Sequence, residues 1–113
     1  MTVSPGYKSF VVEQLEHFAA ITSKSMFGGV GIYADGVFFA VLDDDRIYFK
    51  VDDTNRPDFE AEGTGPFRPY NDERTMNYYE VPVDVLEDVD RLKEWAAKAV
   101  DVALRSKKGR KKR

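Results

Sequence analysis

The chain has 113 residues, of which 42% are hydrophobic, 33% charged and 13% aromatic, a composition typical of one globular domain and not of a disordered or fibrous chain. No apolar run approaches the roughly 18 to 20 residues that a membrane-spanning helix needs, and the first six residues lack the pattern of a secretory signal. The absence of cysteine excludes disulfides, thiolate nucleophiles and cysteine-ligated metals, and a single histidine argues against a zinc enzyme. We therefore expect a cytoplasmic domain that makes no contact with a membrane and needs no cofactor.

Charge is distributed unevenly along the chain, whose net charge is -3. The last nine residues contain seven basic side chains and no acidic one, which leaves ten Lys and Arg against twenty Asp and Glu in residues 1–104, a net charge of -10. Runs of like charge usually remain solvated, and they bind phosphate polymers or acidic surfaces when they bind anything. We expect residues 1–105 to form a single domain and residues 106–113 to be a disordered basic tail.

The predicted elements start with an amphipathic helix over residues 7–20, in which apolar side chains recur at helical spacing, and a polar break at residues 22–25 ends it. Residues 26–51 are rich in Val, Ile, Phe and Tyr. Two short breaks, at residues 34–36 and 43–45, divide this stretch, which predicts three antiparallel strands joined by hairpin turns. In the third strand apolar and polar residues alternate, as expected for a sheet with one buried and one wet face.

The second half of the chain predicts a short helix over residues 52–62, two strands over residues 65–70 and 75–81, and a long helix over residues 85–104. The predicted order is therefore α-β-β-β-α-β-β-α. This order is typical of an α+β fold with a mainly antiparallel five-stranded sheet on which the helices pack. We expect the helices to cover one face of that sheet.

The face of the sheet away from the helices is the first candidate for a binding surface. Strand alternation places Tyr48, Lys50 and Tyr78 there, where a homodimer or a protein ligand could cover them. The alternative is that the tyrosines lie half-buried with their hydroxyl groups in water, as their amphipathic rings allow. The residues alone leave both interpretations open.

Three other patterns bear on chemistry. Gly28-Gly29-Val30-Gly31 is similar to a phosphate-binding loop, but a strand is predicted after it and not a helix. This favours a bulged strand whose missing side chains let the first helix approach closely. Asp43-Asp44-Asp45 could attract a hard cation, but three consecutive carboxylates in a tight turn cannot converge on one ion. His17 lies at the edge of the first helix, and no nucleophile or orienting acid is nominated beside it. We therefore predict no catalytic residue, no metal site and no enzymatic activity.

Six strings occur in a characteristic order and spacing: Met26-Phe27-Gly28-Gly29-Val30-Gly31-Ile32-Tyr33, Asp35-Gly36-Val37-Phe38-Phe39-Ala40, Ile47-Tyr48-Phe49-Lys50-Val51-Asp52, Gly65-Pro66-Phe67, Met76-Asn77-Tyr78-Tyr79-Glu80-Val81-Pro82 and Trp95-Ala96-Ala97-Lys98-Ala99. Together they resemble the N-terminal domain of the TfoX/Sxy competence regulators, over roughly residues 7 to 104. The resemblance implies a fold like that of the secretion-chaperone-like α+β domains and supplies no catalytic residues. It also implies a stand-alone version of a domain that competence regulators join to a second, C-terminal domain.

The resemblance implies a role in transcription regulation, since competence regulators of this family activate DNA-uptake genes together with the cyclic-AMP receptor protein. We expect a non-enzymatic regulatory or adaptor domain that acts through contacts with a protein partner or with itself. The alternative is an accessory nucleic-acid binder whose contacts are Arg105, Lys107, Lys108, Arg110, Lys111, Lys112 and Arg113. Such contacts would be weak and non-specific, because a disordered tail reaches phosphates but cannot hold side chains at base edges. A solvated tail without a ligand is the remaining interpretation.

Overall fold

The computed structural model of the chain describes residues 3–26, 29–67 and 77–111, with only the backbone described at positions 26 and 107–111. Within these residues the elements are α1 (Pro5–Leu15), β1 (Ile21–Met26), β2 (Gly29–Ala34), β3 (Val37–Asp43), β4 (Arg46–Lys50), α2 (Arg56–Ala61), β5 (Tyr78–Glu80), α3 (Val83–Leu86) and α4 (Val89–Lys111). The strands form one antiparallel sheet in the order β1-β2-β3-β4-β5. The predicted α+β class and five-stranded sheet are confirmed, and the order of the elements differs in detail.

The first strand of the sheet, β1, comes before the first strand that the sequence predicts. The Ser4 hydroxyl accepts a hydrogen bond from the backbone N–H of Tyr7 at 3.4 Å, and this N-cap with Pro5 in the first turn begins α1. The helix ends at Leu15 and not at residue 20, and residues 21–26, predicted as a polar break, form β1. Because β1 pairs only with β2, it lies at the edge of the sheet, where its polar side chains are well tolerated.

Both predicted hairpin turns are confirmed. Asp35 and Gly36 have φ angles of 49° and 83°, and Asp44 and Asp45 have φ angles of 54° and 55°. Two consecutive residues with positive φ match the type I′ turn, whose twist fits that of the strands it joins. Aspartate is one of the few residues other than glycine that adopts this conformation readily.

The helices cover one face of the sheet and enclose the main core with it. α4 packs on β3 and β4, and both α1 and α3 pack beside α4. The largest buried side chains of this core are Phe39, Phe49, Phe59, Leu15, Ile32, Leu42, Ile47 and Leu92. Since burying a side chain of this size contributes roughly 1.5 to 3 kcal/mol, this cluster is what holds the helices on the sheet.

A buried amide joins the end of β4 to the start of α2. Asn55 is 1% exposed; its Oδ1 accepts the backbone N–H of Asp52 at 2.8 Å, and its Nδ2 donates to the carbonyl oxygen of Lys50 at 3.1 Å. Because both ends of the amide are satisfied, its burial is compatible with a stable fold. The helix predicted over residues 52–62 is correspondingly confined to Arg56–Ala61.

The described part of the strand predicted over residues 65–70 pairs with β5. The Phe67 N–H donates to the carbonyl oxygen of Tyr78 at 2.7 Å, and the Glu80 N–H donates to that of Gly65 at 3.0 Å. Between them Pro66 forms an isolated bridge with Tyr79. Residues 68–76, which include the rest of this strand and the start of the next, lie outside the described residues.

The long helix predicted over residues 85–104 is two helices. Asp88 separates them, because its Oδ1 accepts the backbone N–H of Arg91 at 3.2 Å and so caps the start of α4. At its other end α4 continues through Lys111, so the backbone of residues 106–111 is helical where the sequence predicted disorder. In the described part of the chain, no helix combines the length and the hydropathy that crossing a membrane requires.

Candidate functional site

The sheet face opposite the helices carries a second set of packed side chains. Val41, Phe67 and Tyr78 form a buried cluster separate from the main core, and Phe38 and Tyr48 pack against it. The register explains this arrangement, because Val41 pairs with Tyr48 and Lys50 pairs with Tyr78, and directly paired residues point to the same face. We call the surface formed by Tyr33, Phe38, Tyr48, Lys50 and Tyr78 the open face.

Aromatic rings run across the open face in contact with one another. The ring centroids of Tyr33 and Phe38 are 5.2 Å apart, and those of Phe38 and Tyr78 are 5.9 Å apart. Towards the edge of the sheet, the rings of Tyr48 and Phe67 are 4.7 Å apart. These separations lie in the range in which aromatic pairs attract. The rings thus form a packed aromatic layer that extends from β2 to Phe67, in which Tyr33, Phe38 and Tyr48 are half-buried and Phe67 and Tyr78 are buried.

Two lysines lie against this aromatic surface. The Nζ of Lys24 is 5.9 Å from the ring centroid of Tyr33, and the Nζ of Lys50 is 5.1 Å from that of Tyr78, both within the range of a cation–π contact. The hydroxyl of Tyr48 is protonated at neutral pH, as for any tyrosine with a pKa of about 10 or higher, and can donate a hydrogen bond. Burial, and then the carboxylate of Glu80, raise the pKa of Tyr48 further. A partner with acidic and apolar groups would complement this combination of rings, cations and a hydroxyl.

The three residues predicted for this face all lie on it, but they differ in their exposure. Tyr48 and Lys50 lie on the open face and are half-buried. Tyr78 lies on the same face but is only 4% exposed, because it belongs to a buried cluster with Phe67 and contacts the ring of Phe38. The prediction that Tyr78 is an exposed interface residue is therefore wrong, because Tyr78 belongs to the buried cluster that lies beneath the open face.

Sequence reasoning missed Lys24, Tyr33, Phe38 and Phe67 on this face. Lys24 lies in β1, which was predicted as a break, so no strand alternation could be applied to it. The apolar run of β3 has no period of two from which the face of Phe38 could be assigned. The Asp-Gly turn after Ala34 could have been used to pair Tyr33 with Phe38 across the hairpin, which is their observed register.

The basic end of α4 begins beside the open face. A cavity of about 290 Å³ lies between the sheet and this helix, with Tyr33, Lys50 and Tyr78 on one side and Ala103 and Ser106 on the other. The positive charge of the C-terminal segment therefore starts at the rim of the aromatic surface.

Arg105, the first of the predicted nucleic-acid contacts, is engaged within the domain. Its guanidinium donates to Asp52 at 3.1 Å and to Thr54 at 2.9 Å, and it also pairs with Asp101. Burial acts to raise the pKa of Asp52, but the hydrogen bonds from Thr54 and Arg105 outweigh it and hold this pKa below its ordinary value. A phosphate would have to compete with these contacts. For Lys107, Lys108, Arg110 and Lys111 only the backbone is described, and Lys112 and Arg113 lie outside the described residues.

The other patterns considered for chemistry are placed in turns and strands. Asp45 accepts hydrogen bonds from the backbone N–H of Ser4 at 2.7 Å and from its hydroxyl at 3.0 Å, so its carboxylate holds the β3–β4 hairpin against α1. Among the described residues, no three His, Asp or Glu side chains are arranged to hold a metal ion. Gly29 and Gly31 lie within β2 and not at a helix start, while Gly28 lies outside the described residues. His17 is exposed in the turn that follows α1.

Alkaline titration is expected to show the late ionisation of two tyrosines, Tyr7 and Tyr78. Burial, followed by Asp45 and Glu80, raises the pKa of Tyr7 to about 12, and burial raises the pKa of Tyr78 to about 12. Because the folded state resists losing these protons, their contribution to stability is complete below about pH 10, the ordinary pKa of tyrosine, and is lost between about pH 10 and 12. Ultraviolet titration of tyrosinate should show these late protons, and Tyr78→Phe should remove one of them. A titration above pH 10 that Tyr78→Phe leaves unchanged would contradict the expectation.

Comparison with protein families gives one result that bears on this geometry. The profile of the TfoX N-terminal domain matches residues 13–103 of the 113-residue chain. This stretch begins within α1, includes strands β1 to β5, and ends at Ala103 within α4. No curated protein sequence matches the chain.

Proposed function

The chain belongs to the TfoX N-terminal domain family, and from this membership we propose that it is a non-enzymatic regulatory or adaptor domain that binds a protein partner through the open face. The observation that carries the proposal is the aromatic surface on the sheet face that none of the described helices covers. Half-buried tyrosine and phenylalanine rings are typical of the centres of protein interfaces. Lys24 and Lys50 beside the rings favour a partner that presents acidic side chains around an apolar centre.

Tyr33 and Tyr48 are the residues best suited to test the open face. Each is half-buried, so removing its ring leaves the main core intact, whereas Tyr78 is a core residue. Val12 on α1 supplies a control, since it is also a half-buried apolar residue but lies away from the open face. A Tyr33→Ser/Tyr48→Ser variant and a Val12→Ser variant should both stay folded, which circular dichroism checks.

Crosslinking of the full chain to proteins in living cells, followed by mass spectrometry, measures the proposed contact. We expect the Tyr33→Ser/Tyr48→Ser variant to reduce recovery of the bound partner by at least about tenfold, since residues at an interface centre commonly carry more than 1 kcal/mol of binding energy. Val12→Ser should leave recovery unchanged. Equal recovery by the two variants would overturn the proposal, because it would place the contact elsewhere on the domain.

A second candidate, an accessory nucleic-acid binder, is favoured by the position of Ser106 beside the open face. Aromatic rings on which bases stack and basic side chains that contact phosphates are the usual parts of a single-strand binding surface. Against this candidate, residues 1–104 carry a charge of -10 and would repel the same polymer.

Fluorescence anisotropy with labelled duplex DNA and single-stranded RNA separates the two candidates. The full chain is compared with a chain that ends at Arg105, over about 50 to 200 mM salt, where phosphate contacts are strongly weakened. We expect little binding by either chain. If all seven basic groups neutralised phosphates, the slope of log affinity against log salt would approach roughly -6. A steep slope that disappears with residues 106–113 would transfer the function to nucleic acid.

A further inference from the structure

A groove lies between α1 and α3, at the end of the sheet where the β3–β4 hairpin turns. It has a volume of about 560 Å³, and Tyr7 and Phe10 of α1 face Val83 and Leu86 of α3 across it. We call it the α1–α3 groove. Phe10 is 38% exposed and Val83 is 61% exposed. Two large apolar side chains left this open in one concavity indicate a surface that another apolar group can cover.

The rim of the α1–α3 groove is acidic. Asp45, Glu80 and Glu87 line it together with Arg46, the one cation among its described lining residues. Arg46 pairs with Glu80 at 3.8 Å. In the part of the chain that the structure describes, Asp45 accepts hydrogen bonds from the neutral groups of Ser4 and forms no ion pair. Among the described residues Glu87 has no ion pair. The groove therefore combines an apolar floor with uncompensated carboxylates, which suits an apolar side chain flanked by cations.

The basic end of α4 presents the complementary chemistry. Among the described residues, the exposed large apolar side chains are Phe10, Val83 and Leu104, and Leu104 is 45% exposed on α4. Seven basic residues follow Leu104 between positions 105 and 113, where no acidic residue occurs. The apolar group and the positive charge that the groove requires are thus adjacent on one helix end. A single contact would cover all three exposed side chains and bring the two opposite charges together.

The same chain cannot place Leu104 in its own groove. Ala103 is 7% exposed, and with Ser106 it lines a cavity at Gly36, in the β2–β3 hairpin. The α1–α3 groove lies at Asp45, in the β3–β4 hairpin, at the opposite end of the seven-residue strand β3. A strand of this length separates the two sites by about 20 Å. Because α4 is packed on the sheet at Ala103, a second molecule must supply the helix end.

We propose that the α1–α3 groove of one molecule binds the basic end of α4 of a second copy of this chain, with Leu104 packed against Phe10 and Val83. The positive charge that follows Leu104 then faces the carboxylates of the rim. Groove and helix end are different surfaces, and two such contacts made reciprocally about a two-fold axis form an isologous dimer. This proposal does not use the open face and stands apart from the proposed function.

The test is the mass of the full chain in solution, measured by sedimentation at several concentrations. We expect association that weakens by at least about tenfold in dissociation constant when salt rises from about 0.05 to 0.5 M, because the charges on the rim are exposed. Phe10→Ser/Val83→Ser removes the floor of the groove, and Leu104→Ser removes the inserted side chain. Since all three residues are exposed, both variants should remain folded and each should be a monomer.

Mixing the two variants makes the test specific. The Phe10→Ser/Val83→Ser molecule keeps an intact helix end, and the Leu104→Ser molecule keeps an intact groove, so an equal mixture should form a 1:1 complex through one contact. A complex in the mixture but in neither variant alone supports the proposal. The proposal is overturned if the unmodified chain is a monomer throughout, if either variant associates as the unmodified chain does, or if the mixture forms no complex. Loss of association in the Tyr33→Ser/Tyr48→Ser variant alone would instead assign the dimer to the open face.

Discussion

Replacing Gly29 with alanine is expected to destabilise the domain by about 3 kcal/mol, because the new Cβ would meet the main chain of β3. A Cβ built on Gly29 lies well under 3.0 Å from the carbonyl oxygen of Leu42 and 3.3 Å from its carbonyl carbon. A backbone carbonyl in the middle of a sheet cannot rotate away as a flexible side chain could. The strands must therefore separate locally, which disturbs the hairpin on which Tyr33 and Phe38 are paired. The midpoint of urea unfolding measures the change.

Gly65→Ala is the matched control for this substitution. A Cβ on Gly65 has nothing within 4 Å, so the same added methyl group should change stability by less than about 1 kcal/mol. If Gly29→Ala and Gly65→Ala unfold at the same urea concentration, then β2 and β3 do not approach each other as closely at Gly29 as the structure has them.

The glycine-rich string shows what the sequence could and could not predict about the fold. A strand with a bulge or a close backbone approach was expected there, and both features are present: the pairing of β2 with β3 shifts between Ile32 and Tyr33, and Gly29 lies against Leu42. The neighbour was not predictable, since the expected approach was to the first helix and the observed one is to β3. A missing side chain indicates that something comes close, but the identity of that group depends on tertiary pairing.

Local patterns also explain which elements were found and which were missed. β4 was assigned correctly to its faces because Ile47 and Phe49 alternate with Tyr48 and Lys50. β1 has no such pattern, because an edge strand that pairs on one side needs few apolar residues. The division of the last helix depends on one capping side chain, Asp88, inside a stretch whose apolar spacing continues as if the helix were unbroken.

Only the part of the candidate site that follows from the alternation of apolar and polar residues along a strand was predictable. This alternation assigned Tyr48, Lys50 and Tyr78 to the correct face of the sheet, but it does not show which other side chains cover them. Phe67 reaches Tyr78 from a segment eleven positions earlier, through the backbone pairing of residues 65–67 with β5. The α1–α3 groove was equally inaccessible to sequence reasoning, because Phe10 and Val83 come together only when α1 and α3 pack at the same end of the sheet.

The last large effect is expected at Tyr78, whose substitution by serine should cost about 3 kcal/mol of stability, near the lower limit for removing a buried aromatic ring. Tyr78 is 4% exposed, and its ring packs with Val41, Phe67 and Phe38 on the sheet face opposite the helices. Tyr48→Ser, which removes a half-buried ring on the neighbouring strand, is the comparison and should cost about 1 kcal/mol. Thermal or urea unfolding of the two variants measures the difference.

Tyr78→Phe separates the ring from the hydroxyl. It keeps the contacts with Phe38 and Phe67, so stability at neutral pH should stay within about 1 kcal/mol of the unmodified chain. A Tyr78→Ser variant as stable as Tyr48→Ser would mean that the second cluster contributes little to the fold and that Tyr78 is available to a partner after all. If Tyr78→Ser costs more stability than Tyr48→Ser, as we expect, the buried ring of Tyr78 stabilises the fold, and Tyr33 and Tyr48 are the rings that a partner can contact.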